Sequence, residues 1–259
     1  MGGGATVIDL HSHLLPGVDD GSRSVEQSLR VLESMAAHGI TDVCLTPHLT
    51  ASRAEAGIPR AYDEAFRELS GVAPPQVRLH RGVELMLDRP MPPAAATNRA
   101  LTLGGSRYLL VEFTRLVAEN AAFNALSHVA SLGLLPVLAH PERYACCSPA
   151  AAARWKTTGA LMQVDANTLF MPRSRGQRAR QLVAAGLADL LAADNHGDDR
   201  TISAPFLALC EHDGEAQADL LLHRNPASVL ADELTETVAP LEISTSLFSR
   251  LKQLLDPEE

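Results

Sequence analysis

Residues 122–143 read AFNALSHVASLGLLPVLAHPER, and the order of residue types in that stretch decides the fold. A helical run ends at Gly133, the residue type that most readily takes the left-handed conformation past a helix end. A short apolar run follows and stops at His140, with the length and flanks of a buried strand. The same order recurs at SLRVLESMAAH, Gly39 and ITDVCLTPH; at AARWKTT, Gly159 and ALMQVDAN; and at QLVAAG, closing on Gly186, before LADLLAADNH. Ser24 followed by Gln27 predicts a capping box at the first of these helices. VIDLHSH near the start, VRLHRGVEL at 77–85 and RYLLVEF at 107–113 are further strand candidates, and the prolines at 74–75 and 90–93 mark loops. Strands alternating with helices imply right-handed crossovers and a parallel sheet, and about seven of them in one domain close naturally into a barrel. Pattern alone also fits an open doubly wound sheet.

The chain is expected to be one domain, 1–259, behind a flexible glycine-rich leader at 1–6. With 46% hydrophobic residues it can bury a core without disulfides or a structural metal, so any metal it binds is expected to do chemistry. A net charge of −9 with no polybasic tract excludes a phosphate-backbone binder, and no nucleic-acid partner is expected. Cys44, Cys146, Cys147 and Cys210 show no framework spacing and suggest reduced thiols in the cytoplasm. The stretch from Asn120 to Pro141 lacks Asp, Glu, Lys and Arg, yet its polar and helix-breaking residues fit a helix followed by a buried strand, not a membrane insertion.

The carboxyl ends of the proposed strands carry His11 and His13, His48, Glu84, Glu112, His140, and Asp194 with His196. A parallel barrel brings all of these to one rim. Any one histidine there is ordinarily structural; their joint occurrence points to a metal centre. Imidazole and carboxylate without thiolate suit Mn²⁺, Fe²⁺, Zn²⁺ or Mg²⁺.

The run HSHLLPGVDDG at 11–21, with TPH at 46–48, GVEL at 82–85, VEF at 111–113, AHPERY at 139–144 and DNH at 194–196, resembles the polymerase and histidinol phosphatase (PHP) superfamily. More narrowly it resembles the bacterial tyrosine phosphatase branch that regulates capsule and exopolysaccharide synthesis, from residue 7 to the NPASVL segment near residue 230. The resemblance implies a distorted TIM-like (β/α)7 barrel with three divalent cations, manganese first among them. It implies one cation on His11, His13, Glu84 and Asp194, a second on Glu84, Glu112 and His140, and a third on Asp20, His48 and His196. Arg143 and Arg200 match the arginines that hold the substrate phosphate, and His48 or Asp20 is a candidate proton donor where not taken up by metal. Ala193 stands where the last motif usually has serine, and Arg200 is set one residue closer to His196 than in some relatives.

The implied activity is metal-dependent hydrolysis of phosphotyrosine on a protein, in particular a bacterial tyrosine kinase. A small-molecule phosphomonoesterase such as a histidinol-phosphate phosphatase competes with it, as does a non-catalytic metal-binding regulator. The cysteine route is excluded because no cysteine has an arginine six positions later; Cys147 misses by one. Asp9 is expected to orient a ligand imidazole, Asp19 to shape its loop and Trp155 to pack. Arg173, Arg175, Arg178 and Arg180 read as a solvated helix start, with a docking surface for an acidic, phosphorylated tail as the alternative. His38, His80, His128, His212 and His223 fall outside the motif pattern and read as structural or exposed.

Overall fold

The structure, a computed structural model, describes residues 7–243 except His212; the expectations for the 1–6 leader and for His212 lie outside the described residues. Its strand segments are β1 (Val7–Ser12), β2 (Ile40–Leu45), β3 (His48–Thr50), β4 (Arg78–Arg81), β5 (Glu84–Met86), β6 (Tyr108–Glu112), β7 (Leu135–Ala139), β8 (Leu161–Asp165) and β9 (Leu190–Ala192). All pairings between them are parallel, in the orders β1-β2-β4 and β3-β5-β6-β7-β8-β9.

Two of the predicted strands are broken. β2 and β3 flank Thr46 and Pro47, and β4 and β5 flank Gly82 and Val83. Proline has no N–H to give the ladder, so the neighbouring strand steps with it. Gly82 fits there because a Cβ would press on Leu103 and Thr46 at 3.2 and 3.3 Å. Each broken strand still runs on, which joins the two sheets side by side. The outer edges meet beyond β9, where Asp194 N donates to His11 O at 3.0 Å, His13 N donates to Asn195 O at 2.7 Å, and Ser12 bridges Asn195. A distorted ring of seven staves results, as the sequence predicts.

Alternate residues separate the two cores. Ile8, Leu10, Tyr108, Leu110, Val137, Ala139 and Leu190 fill the ring's interior, with Val229 among them from the closing helix Asn225–Leu230. Val7, Leu109, Val111 and Leu138 face outward onto Leu32, Leu126 and Leu182 of the surrounding helices. Each such leucine contributes about 1.5–3 kcal/mol through burial. The four glycines after helices have φ of +82° at Gly39, +81° at Gly133, +87° at Gly159 and +65° at Gly186, as the sequence requires.

The cap of helix Val25–Ala37 differs in one half from expectation. Ser24 accepts from Gln27 N at 3.2 Å, but the Gln27 side chain takes Arg23 N and reaches across to Gly197 O at 2.8 Å. That bond ties the first helix to the loop carrying Arg200. The apolar stretch after Asn120 folds as helix Glu119–Ser131 and β7, and no helix among the described residues is long and apolar enough to cross a membrane.

Candidate metal centre

Four atoms from three segments, the end of β1, β5 and the turn after β9, form the innermost group. His11 Nε2 and His13 Nε2 lie 3.1 Å apart, and each is 3.2–3.3 Å from Glu84 Oε2 and Asp194 Oδ1. Spacings of this size around a tetrahedron put its centre about 2 Å from every atom, the bond length of zinc or magnesium to nitrogen and oxygen. Glu84 Oε2 and Asp194 Oδ1 are buried and have no hydrogen-bond donor, a state that is costly unless a cation completes it. The residues fit a metal.

Local structure explains the convergence. A register shift between Asp9 and Ser12 lets Leu10 pack inside the ring while the next side chain, His11, reaches Glu84. His140 and Asp194 have φ of +35° and +49°, a left-handed backbone that non-glycine residues resist and that clusters at functional sites. Gly21 lets the HSHLLPGVDDG loop fold back on itself, since Ser22 N donates to His13 O at 2.8 Å and a Cβ on Gly21 would lie 2.0 Å from that oxygen.

Two further groups overlap the first: His48 with Glu84 and Glu112, and His13, Asp20, His48 and His196. His48 stands opposite Glu84 in the β3–β5 register, its Nδ1 3.1 Å from both Glu84 Oε2 and Glu112 Oε1 and its Nε2 3.3 Å from Asp20 Oδ1. The expected His48, Asp20 and His196 set is thus brought together. In the Glu84 and Glu112 set, His48 takes the place in which His140 is expected. His140 Nε2 remains 2.8 Å from Glu84 Oε1 but 4.0 Å from Glu112 Oε2. His48 and Glu84 open the short segments β3 and β5 and do not end a strand, a consequence of the two breaks.

Charge in the cluster is strongly coupled. Burial alone would raise the carboxyls of Glu84 and Asp194, yet the surrounding imidazoles, joined at Asp194 by Arg143, hold both well below the usual range. Burial works against charge on His48, but Glu112 and Glu84 push it up to about 10. Protons and cations compete for these same lone pairs.

The supporting residues correct several expectations. His11 Nδ1 meets Gln163 Oε1 at 2.8 Å, whereas Asp9 accepts the backbone N–H groups of His11 and Ala193, both at 3.2 Å, and so pins the first staff to the last without touching an imidazole. Asp19 does more than shape its loop: it accepts from Gly21 N, and its other oxygen pairs with His13 Nδ1 at 2.8 Å and accepts His48 N at 3.2 Å. Arg143 Nη2 donates to Asp165 Oδ2 at 2.7 Å and to Asp194 Oδ2. Arg200 lies over the same residue, donating to Asp194 O at 2.5 Å, with Asp198 gripping its other side. Both arginines reach the centre despite the shortened spacing. Gln163 and Asp165 went unread in the sequence, although they occupy alternate positions of a strand ending at the same rim as the ligands.

Of the four arginines near the sixth staff, Arg178 Nε donates to Glu142 O at 2.8 Å and Arg180 Nη1 to Leu169 O at 2.6 Å; only Arg173 and Arg175 are left for a solvated helix start. His80 and His128 bond to Asp42 and Met91 O and His223 to Asp219, while His38 is exposed and bonds to Ser34 O of its own helix, so none of the four joins the centre. Trp155 is fully buried, and all four cysteines are free thiols.

Over residues 7–231 the chain matches the family described as Capsular polysaccharide synthesis, CpsB/CapC. It is 28% identical over 245 residues to tyrosine-protein phosphatase CpsB of Streptococcus agalactiae, spanning 86% of this chain and 98% of that protein. It is 27% identical over 197 residues to tyrosine-protein phosphatase YwqE of Bacillus subtilis, spanning 73% and 77%. Its fold superposes with a TM-score of 0.76 and 23% identity on a chain from the crystal structures of YwqE from Bacillus subtilis and CpsB from Streptococcus pneumoniae, described as unique metal-dependent tyrosine phosphatases, over 92% of this chain and 99% of that one. A dihydropyrimidinase from Brevibacillus agri shares the fold more distantly, with a TM-score of 0.56 and 12% identity over 93% of this chain and 74% of that one. The family match spans every one of the converging ligands, and the chain belongs to the CpsB/CapC family.

Proposed function

We propose that this chain is a metal-dependent protein-tyrosine phosphatase, 1–259 acting as one catalytic unit on a tyrosine-phosphorylated protein, in particular a bacterial tyrosine kinase of capsule or exopolysaccharide synthesis. The observation that carries the reading is the overlap of three ligand groups, two of them sharing Glu84, beneath two arginines that converge on Asp194. The naming of the CpsB and YwqE relatives as tyrosine-protein phosphatases supports the phosphotyrosine substrate.

His11, His13, Asp20, His48, Glu84, Glu112, His140, Asp194 and His196 would hold the cations. Divalent ions here would supply Lewis-acid charge and lower the pKa of water towards about 7, and manganese, iron, zinc and magnesium all suit these donors. The need for them follows from charge: once cations displace the protons that the imidazoles would otherwise carry, the six carboxylates of Asp19, Asp20, Glu84, Glu112, Asp165 and Asp194 outnumber the guanidiniums of Arg143 and Arg200, and divalent charge is what would make the mouth attract a phosphate dianion. The two arginines orient the phosphate oxygens with forked donors. Asp165 and Asp198 aim those forks, and Gln163 and Asp19 fix the rings of His11 and His13. Asp20 and His48, with side chains 70% and 37% exposed, face the open side, where tyrosinate, with a parent pKa of about 10, would depart. The free thiols agree with a cytoplasmic setting.

The test is phosphate release from phosphotyrosine and phosphoserine peptides and from histidinol phosphate, with manganese, iron, zinc or magnesium and with a chelator. Phosphotyrosine is expected to be hydrolysed fastest, and only with metal. Faster release from histidinol phosphate would transfer the reading to a small-molecule phosphatase, and no release from any substrate would leave a metal-binding regulator.

A further inference from the structure

A cavity of about 470 Å³ adjoins the open side of the metal centre, lined by His48, Leu49, Thr50, Arg53, Met86 and Glu112. Its position follows from strand periodicity. On β3 and β5 the residues two beyond His48 and Glu84 are Thr50 and Met86, which pair with each other across the strands, so they stand one rung above the ligands on the same face. Met86 also pairs with Glu112 on β6, placing the thioether side chain beside a third ligand. Met86 and Thr50 are half-buried, while Leu49 belongs to the core behind them.

The far wall is fixed by loop bonds. Thr50 and Ser52 hydroxyls lie 2.9 Å apart, Ser52 N donates to Asp88 Oδ1 at 3.0 Å, and Arg89 Nη2 donates to Ser52 O at 3.0 Å. Arg53 rises from this turn, exposed, and its guanidinium has no hydrogen-bond or ion-pair partner among the described residues. An apolar wall with one unengaged guanidinium, opening onto a metal centre, suits a flat aromatic group that enters behind an anion. Thioether sulfur and guanidinium both favour contact with a ring.

We infer that this cavity receives the phenyl ring of the substrate phosphotyrosine, with Met86 and Arg53 as the side chains that select aryl over alkyl phosphate; this rests on the phosphatase reading and deepens it. The ring of an aryl phosphate begins one ester oxygen from phosphorus, so a ring site has to touch the centre itself, and this cavity does so through His48 and Glu112. A short alkyl phosphate such as phosphoserine has no ring face to lay against Met86 and gains nothing from it.

The test is calorimetric binding of phenylphosphonate and methylphosphonate to the manganese-loaded full chain, alongside phosphate release from a phosphotyrosine peptide. Phenylphosphonate is expected to bind about tenfold more tightly, the worth of burying a ring face. Met86→Ala is expected to reduce that ratio by about threefold or more, and Arg53→Ala, at an exposed position that leaves folding alone, by about two- to threefold. Equal binding of the two phosphonates by the unmodified chain, or an unaltered ratio in both variants, would overturn the ring site while phosphate release keeps the phosphatase reading intact. Failure of phosphate release would remove both.

Discussion

The two ends of the ligand cluster live in different surroundings. His11, His13, Glu84 and Asp194 have side chains at most 1% exposed, whereas His196 is 18%, His48 37% and Asp20 70% exposed. In the inner group His11 and Glu84 sit on strands and His13 and Asp194 within two residues of a strand end, and Gln163, Asp19 and Arg143 brace them from behind. In the outer group His48 opens β3, but Asp20 and His196 hang on two loops, one folded at Gly21 and the other tied through Gly197 to the first helix. A braced, dry site is preorganised and exchanges slowly; a loop-borne, wet site trades ligands with water. On the proposed function the cluster would therefore divide into a part that keeps its ion and a part that meets the substrate.

The largest test of that division is Glu84→Gln, which removes the charge shared by the inner group and by the His48 and Glu112 group. It is expected to lower kcat/KM for a phosphotyrosine peptide by more than about 10³-fold, because charge stabilisation at the reacting phosphate fails on both sides. Near-normal activity would dissolve the comparison. Asp20→Asn should cost less, about 10–100-fold, and be partly rescued by added manganese. If raising the metal concentration restores nothing, the outer group is not the exchangeable one.

Gln163→Leu probes the bracing. It strips the partner from His11 Nδ1 without touching a ligand, and competition with a chromogenic chelator should show inner-site affinity about tenfold weaker. The smallest effect is expected at Cys147, which belongs to neither group. Burial, and then the nearby Glu142, push its thiol up to about 12, so it stays protonated and unreactive until the solution is strongly alkaline. Iodoacetamide at pH 8 and Cys147→Ser should both leave phosphate release unchanged; inactivation by alkylation there would reopen the cysteine route.

Much of this was legible because each feature had a local chemical cause. Glycine past a helix, an apolar run and a terminal imidazole or carboxylate repeat along the chain, and a parallel sheet turns that repeat into one rim. What stayed hidden had its cause elsewhere in the chain. The breaks at Pro47 and Gly82 follow from two neighbouring strands stepping together, which neither segment announces alone. The pairing of His48 with Glu84 and Glu112 follows from that step. Gln163 and Asp165 resemble ordinary strand residues until the fold lays them against His11 and Arg143. Asp9 sits two residues from His11, a spacing that suggests ring contact, but its Oδ1 takes the backbone N–H groups of His11 and Ala193 and its Oδ2 has no hydrogen-bond partner among the described residues. Sequence spacing finds which residues reach a rim; it does not say which partner each finds there.

The most direct measurement is the metal content of the manganese-loaded chain during a stepwise chelator titration, read by plasma mass spectrometry. A cluster with one braced and one open end should hold more than one ion per chain and release them in separate steps, the last retained ion vanishing in Glu84→Gln. Retention of no ion before chelator is added, or loss of every ion in a single step that Glu84→Gln leaves unmoved, would contradict it.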